Sequence, residues 1–212
     1  MNWIIILSMC GFAMCTQKLK VAVFYEALCP DSVRFFTSQL KPAYPVIGDR
    51  ISIDFIPYGK ANHFKINGKV AFRCHHGPNE CYANQIQACA VHQNVTENSK
   101  VNFLLCLMSS SRYDLVNPAN IERCANQNSM SPVEIFNCMR GDLKETLLAK
   151  HGDRTLALDP IITFVPTIIF NNVYDPYMQS DALYDFLGTV CEQLSPRPNN
   201  CPSKRSLSWF AF

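Results

Sequence analysis

Nowhere in the 212 residues do lysines and arginines cluster. The 19 basic and 17 acidic side chains leave a formal net charge of +2, so the electrostatic footprint of nucleic-acid binding is missing. No apolar run reaches the roughly 20 residues that a membrane span requires. Internal repeats and low-complexity stretches are also absent. Charged residues are scarce at 17% against 48% apolar, and 14 Phe with 8 Tyr supply bulky core material, which excludes a chain disordered throughout. The length suits one medium domain carrying an insertion.

The first 15 residues, MNWIIILSMCGFAMC, form a short apolar stretch with Ala13 and Cys15 as the small residues before Thr16. They read as a signal peptide, although no positive side chain precedes the apolar run. Cysteine usage agrees with export. Of 11 cysteines, Cys10 and Cys15 leave with the leader, so nine remain. Eight of nine can close four bridges in an oxidising compartment, with the pairing left open, and one stays free or pairs outside the chain. The sequon Asn94-Val95-Thr96 fits the same route and marks Asn94 as a candidate glycosylation site.

Leu19 to Tyr25 (LKVAVFY) reads as a buried strand and Ile51 to Pro57 as a second. Between them Val33, Phe36 and Leu40 keep helical spacing behind Asp31 and Ser32 as capping residues, with Pro42 expected to end the helix. Residues 74 to about 150 read as a cysteine-rich helical insertion, with helices near 80–92, 99–112, 118–126 and 132–150. Asn117-Pro118 and Ser131-Pro132-Val133-Glu134 are start signals, and His151-Gly152 is expected to close the last helix. Strand chemistry returns over 163–170, interrupted by Pro166; Asn171-Asn172 suits a hairpin turn, and a final helix is expected from near Ser180. Residues 16–195 thus form the domain, and 196–212 an irregular tail pinned by Cys201.

The order strand, Cys29-Pro30-Asp31-Ser32, helix is one that activates a thiol: the strand aims the sulfur and the helix N-terminus favours thiolate. An ordinary half-cystine at Cys29 is the alternative, and the odd cysteine count speaks against it. FYEALCPDS, followed by CHHGPNECYANQIQAC, resembles the gamma-interferon-inducible lysosomal thiol reductase family. Cys74, His76, Gly77, Glu80, Cys81, Asn84 and Cys89 match the family signature at its spacing, with His75 in place of a glutamine. The resemblance implies an α/β, thioredoxin-like fold with a helical insertion, braced by disulfides, and reduction of protein disulfides by a Cys-x-x-Cys pair. It also likens Val165-Pro166-Thr167 to the cis-proline loop opposite the attacking cysteine, which here is Cys29.

The chain departs from that pattern at Ser32, which stands where the resolving cysteine belongs. A thiolate attacks a disulfide to give a mixed disulfide, and a neighbouring thiol then releases the product. Well-oriented intramolecular groups reach effective molarities on the order of 10⁵ M, which no dissolved thiol replaces. The expectation is therefore a secreted or endolysosomal protein that has lost dithiol turnover and acts mainly by binding other proteins, with single-thiol exchange at Cys29 as the alternative. Cys74, Cys81, Cys89, Cys106, Cys124, Cys138, Cys191 and Cys201 are expected in structural bridges. His75 and His76 beside Cys74 and Cys81 match no common zinc spacing, and neither metal nor cofactor is expected. The terminal Trp209-Phe210-Ala211-Phe212 is too short for a lipid-anchor signal, and no feature bears on oligomeric state.

Overall fold

The apolar run Leu19–Tyr25 decides the sheet. This strand, β1, lies in the middle of three: β2 (Ile51–Pro57) runs parallel with Leu19 opposite Ile51, and β5 (Thr167–Phe170) antiparallel with Val21 opposite Phe170. A central strand covered on both faces reads as an almost continuous apolar run. Val21, Val23 and Tyr25 join Ile53, Phe55 and Ile168 in the main core, while Phe24, Ile56 and Ile169 form a second cluster closed by Leu158 and Ile162. A computed structural model describes residues 17–203. The signal peptide expected over 1–15 and the end of the tail, 204–212, lie outside the described residues.

Beyond β1 the chain enters α1 (Pro30–Arg34), a π-helical stretch (Phe35–Leu40) and α2 (Lys41–Ile47) without a break. Pro42 does not end the helix. The helical run continues through it to Ile47. The run buries Phe35, Phe36, Leu40 and Ile47, and the Phe36 ring packs on Tyr25 and Phe55. A hairpin that the expected elements lack follows β2. β3 (Asn62–Ile66) pairs antiparallel with β4 (Lys69–Arg73), and the turn residues Asn67 and Gly68 have φ of 50° and 79°. Asn-Gly is the strongest short hairpin signal, so the turn was legible. Its strands are half exposed and show little alternation, which hid them.

The helical region holds α3 (Pro78–His92), α4 (Glu97–Met108), a 3₁₀ turn (Asp114–Val116), α5 (Pro118–Gln127), α6 (Pro132–Arg140) and α7 (Leu143–Leu156). Asn117 caps α5 through the Ala119 amide and Ser131 caps α6 through the Glu134 amide. The single helix expected over 132–150 is two, because Gly141 turns extended. Gly152 is no C-cap. It lies inside α7, where a Cβ would sit 2.5 Å from the Tyr58 ring, so glycine there serves close packing.

Pairing in β5 begins only at Thr167, since Pro166 lacks the amide a ladder needs. The Val165–Pro166 peptide is cis. Asn171 and Asn172 take φ of 50° and 64°, making the tight turn, but Val173 returns to Phe170 in one bridge only, so the expected strand pair is a strand and a bridge. The C-terminal helix is also two, α8 (Pro176–Tyr184), capped by Asp175, and α9 (Phe186–Gln193). Among the described residues four disulfides brace the chain: Cys74–Cys81 at the entry to α3, Cys89–Cys138 between α3 and α6, Cys106–Cys124 between α4 and α5, and Cys191–Cys201 holding the tail to α9.

Candidate functional site

The loop between β1 and α1 is held from α3. Asn84 Oδ1 accepts the Ala27 amide at 2.9 Å, and Gln87 Oε1 accepts the buried Tyr25 hydroxyl at 2.5 Å. These bonds deliver Cys29 as the N-cap of α1, in extended conformation, with its carbonyl accepting the Val33 amide at 3.0 Å. The Cys29 side chain is buried and, among the described cysteines, it alone is unpaired. Its thiol points at the Val165 carbonyl, 3.8 Å away, the backbone group directly before cis-Pro166. Helix N-terminus and proline loop thus meet at one sulfur.

Ser32 is fully buried one turn into the helix, and its Oγ accepts the Glu26 amide at 3.4 Å. Among the described residues it makes no hydrogen bond to the Cys29 sulfur. A hydroxyl so placed fills the space of a second thiol and holds the loop, but it cannot open a disulfide.

A cluster of charge adjoins the sulfur. Glu26 is completely buried, with Oε1 accepting the Lys60 amide at 2.7 Å and Oε2 left without a hydrogen bond. The Nδ1 atoms of His76 and His75 stand 3.3 and 3.6 Å from that Oε2. Glu80, also completely buried, grips His76 twice: Oε1 accepts its amide at 3.0 Å and Oε2 faces Nδ1 at 2.6 Å. A Glu26 oxygen, the Cys29 sulfur and a ring nitrogen of His76 all lie within 4.8 Å of one another. Burial raises the Glu26 carboxyl above the usual range and the charge of Glu80 adds to this, against the Lys60 amide and the two histidines, which lower it. Cys74 and Cys81 are bonded to each other and so offer no thiolate to a metal beside His75 and His76.

Of the signature residues, His76, Glu80 and Asn84 therefore converge on Cys29, the Cys74–Cys81 bridge closes the loop that carries His76, and Gly77 caps α3 at φ 88°. Cys89 braces the helices through Cys138 and takes no part in the cluster. Glu26 is absent from the residues singled out by sequence, although an acid between a buried strand and a candidate thiol is a signal for it. The Lys60 amide gave none, since a backbone group carries no residue code. A cavity of about 190 Å³ is lined by Leu158, Ile162, Phe164, Thr167 and Ile169, flanking the proline loop, and does not include Cys29.

Comparison with known proteins shows the fold and the family. A crystal structure of DsbA from Chlamydia trachomatis superposes with a TM-score of 0.55 at 12% identity, covering 79% of this chain and 83% of that one, and shows the fold to be thioredoxin-like. GILT-like protein 1 of Drosophila melanogaster is 34% identical over 201 residues, which is 89% of this chain and 80% of the relative. The gamma-interferon-inducible lysosomal thiol reductase of Mus musculus is 26% identical over 192 residues, 89% and 73% of the two chains. The profile of gamma interferon inducible lysosomal thiol reductase (GILT) matches residues 20–128, and the chain belongs to that family.

Proposed function

We propose that this protein acts outside the cytosol, secreted or in endolysosomes, by binding other proteins through a single thiol, and that dithiol turnover has been lost. The observation that carries the reading is the pairing of cysteines. Among the described residues eight cysteines are tied in bridges, Cys29 alone is free, and Ser32 occupies the buried position one helical turn away. No other described thiol is available to release a partner once Cys29 has attacked it. The Val165 carbonyl and Pro166 beside the sulfur provide backbone against which an extended segment of the partner can lie. The partner's disulfide is then opened in one step and its chain retained as a mixed disulfide.

The test uses purified protein and a denatured, disulfide-containing substrate protein under mildly acidic conditions. A one-to-one mixed disulfide through Cys29 should accumulate and persist until a small thiol is added. Cys29→Ala should form none, and Ser32→Cys should release reduced product once, its two cysteines closing into a disulfide, and turn over repeatedly when a small thiol is present to reduce that disulfide again. Repeated turnover by the chain with Ser32 intact would overturn the proposal. A second reading, single-thiol exchange with an external thiol completing each cycle, is favoured by the charged cluster at the sulfur, whose groups can handle a proton.

A further inference from the structure

Two completely buried carboxylates, Glu26 and Glu80, share the ring of His76, and no lysine or arginine side chain pairs with either among the described residues. Lys60 contributes only its backbone amide. Ionised carboxylates accept and do not donate, so His76 Nδ1 carries a hydrogen toward Glu80 at 2.6 Å. The other ring nitrogen is then the one able to take up a proton, and the Cys29 sulfur lies within 4.8 Å of the imidazole. Glu26 Oε2, buried and without a hydrogen-bond partner, faces the same ring and stabilises the imidazolium that forms.

We propose that His76 is the proton carrier of Cys29, clamped by Glu80 and steadied by Glu26, an inference that rests on the single-thiol reading above. As Cys29 attacks, its S–H proton passes to the imidazole. The thiolate forms a bond to one sulfur of the partner's disulfide and the partner's S–S bond breaks. The departing thiolate takes the proton back from His76. The products are a Cys29 mixed disulfide and one free thiol on the partner. The exchange is redox-neutral, and no outside oxidant or reductant enters. Glu80 is a positioning residue here, and exposed His75, 3.6 Å from Glu26, is the remaining titratable group facing the cluster.

The experiment follows the reaction of the full-length secreted chain with 4,4′-dithiodipyridine, a small disulfide whose released thione absorbs light, between about pH 4 and about pH 9. The expected wild-type profile keeps a reactive limb on the acid side of the ordinary thiol range near 8.5. His76→Gln should lose that limb, with a fall of ~10-fold or more near pH 5, inside the span typical of acid–base catalysis. At the alkaline end, where the thiol ionises unaided, it should converge on wild type. Glu80→Gln, which keeps the side-chain shape, should move the profile in the same direction by less, and serves if the histidine variant does not fold. A folded His76→Gln or Glu80→Gln protein with the wild-type profile, in a chain whose reaction disappears in Cys29→Ala, overturns the inference and leaves the single-thiol reading standing. A reaction untouched by Cys29→Ala overturns both.

Discussion

Gly59 shows how closely the site is built. Its φ is +61°, and a Cβ there would lie 2.3 Å from Glu26 Cγ and 2.8 Å from Oε1. Glycine is required twice over, for the left-handed backbone and for the room that the buried carboxylate occupies. Gly59→Ala should therefore cost about 2 kcal/mol or more, combining backbone strain with overpacking, and should push Glu26 off the Lys60 amide. Urea denaturation measures the first effect, and the rate of Cys29 alkylation the second. Wild-type values for both would show that the turn yields without disturbing the carboxylate. Ser32 makes a complementary point. Its identity is plain in sequence, but its hydroxyl is seen to support the loop through the Glu26 amide only in the folded chain.

Among the elements, α3 does the most to define the site. Its first turn supplies Glu80, its second Asn84, its third Gln87, and its last turns carry Cys89, bonded to Cys138 on α6. That bridge spans 49 residues of sequence. In the chain-entropy picture a loop of that size constrains the unfolded chain by about 4 kcal/mol. Replacing Cys89 and Cys138 together by alanine should lower stability by an amount of that order. It should shift the thermal midpoint by several degrees while leaving the Cys29 reaction intact in the folded protein at low temperature. A variant that keeps wild-type stability would mean that α3 and α6 hold each other by packing alone. The start signals at Asn117 and Ser131 were readable because capping is local, satisfied within three residues. The glycine inside α7 was not, because its place depends on the Tyr58 ring, far away in sequence.

For the molecule as a whole, pH pulls stability in two directions. Burial pushes His151 on α7 down from 6.5 to about 4, with Arg154 adding to the shift and Asp54 opposing it. The unfolded chain therefore takes up that proton first as pH falls. The neutral histidine supports the fold above about 6.5, and the support is lost as pH drops toward about 4, an effect of about 3 kcal/mol. Glu26 acts in the opposite sense. Its raised carboxyl favours the folded state once pH falls below the unfolded value, and that contribution disappears as pH rises through the folded one. His151→Gln should reduce the loss of urea resistance between about pH 7 and about pH 4. An unaltered pH dependence in that variant would place the acid sensitivity elsewhere.

Local order in the chain was enough for much of this. Both parallel strands, the starts of α5 and α6, the Asn171-Asn172 turn and the position of Cys29 before a helix follow from apolar runs and capping chemistry that act between near neighbours. The match of the CHHGPNEC segment likewise announced the family. Tertiary structure decided the rest. How the eight bridge cysteines pair was settled by tertiary approach, across 7 to 49 residues of sequence, while the approach of His76 to the sulfur and the burial of Glu26 beneath Gly59 join segments 30 or more residues apart. Such contacts are set by how α3 packs against the strand ends, and no spacing along the sequence encodes them.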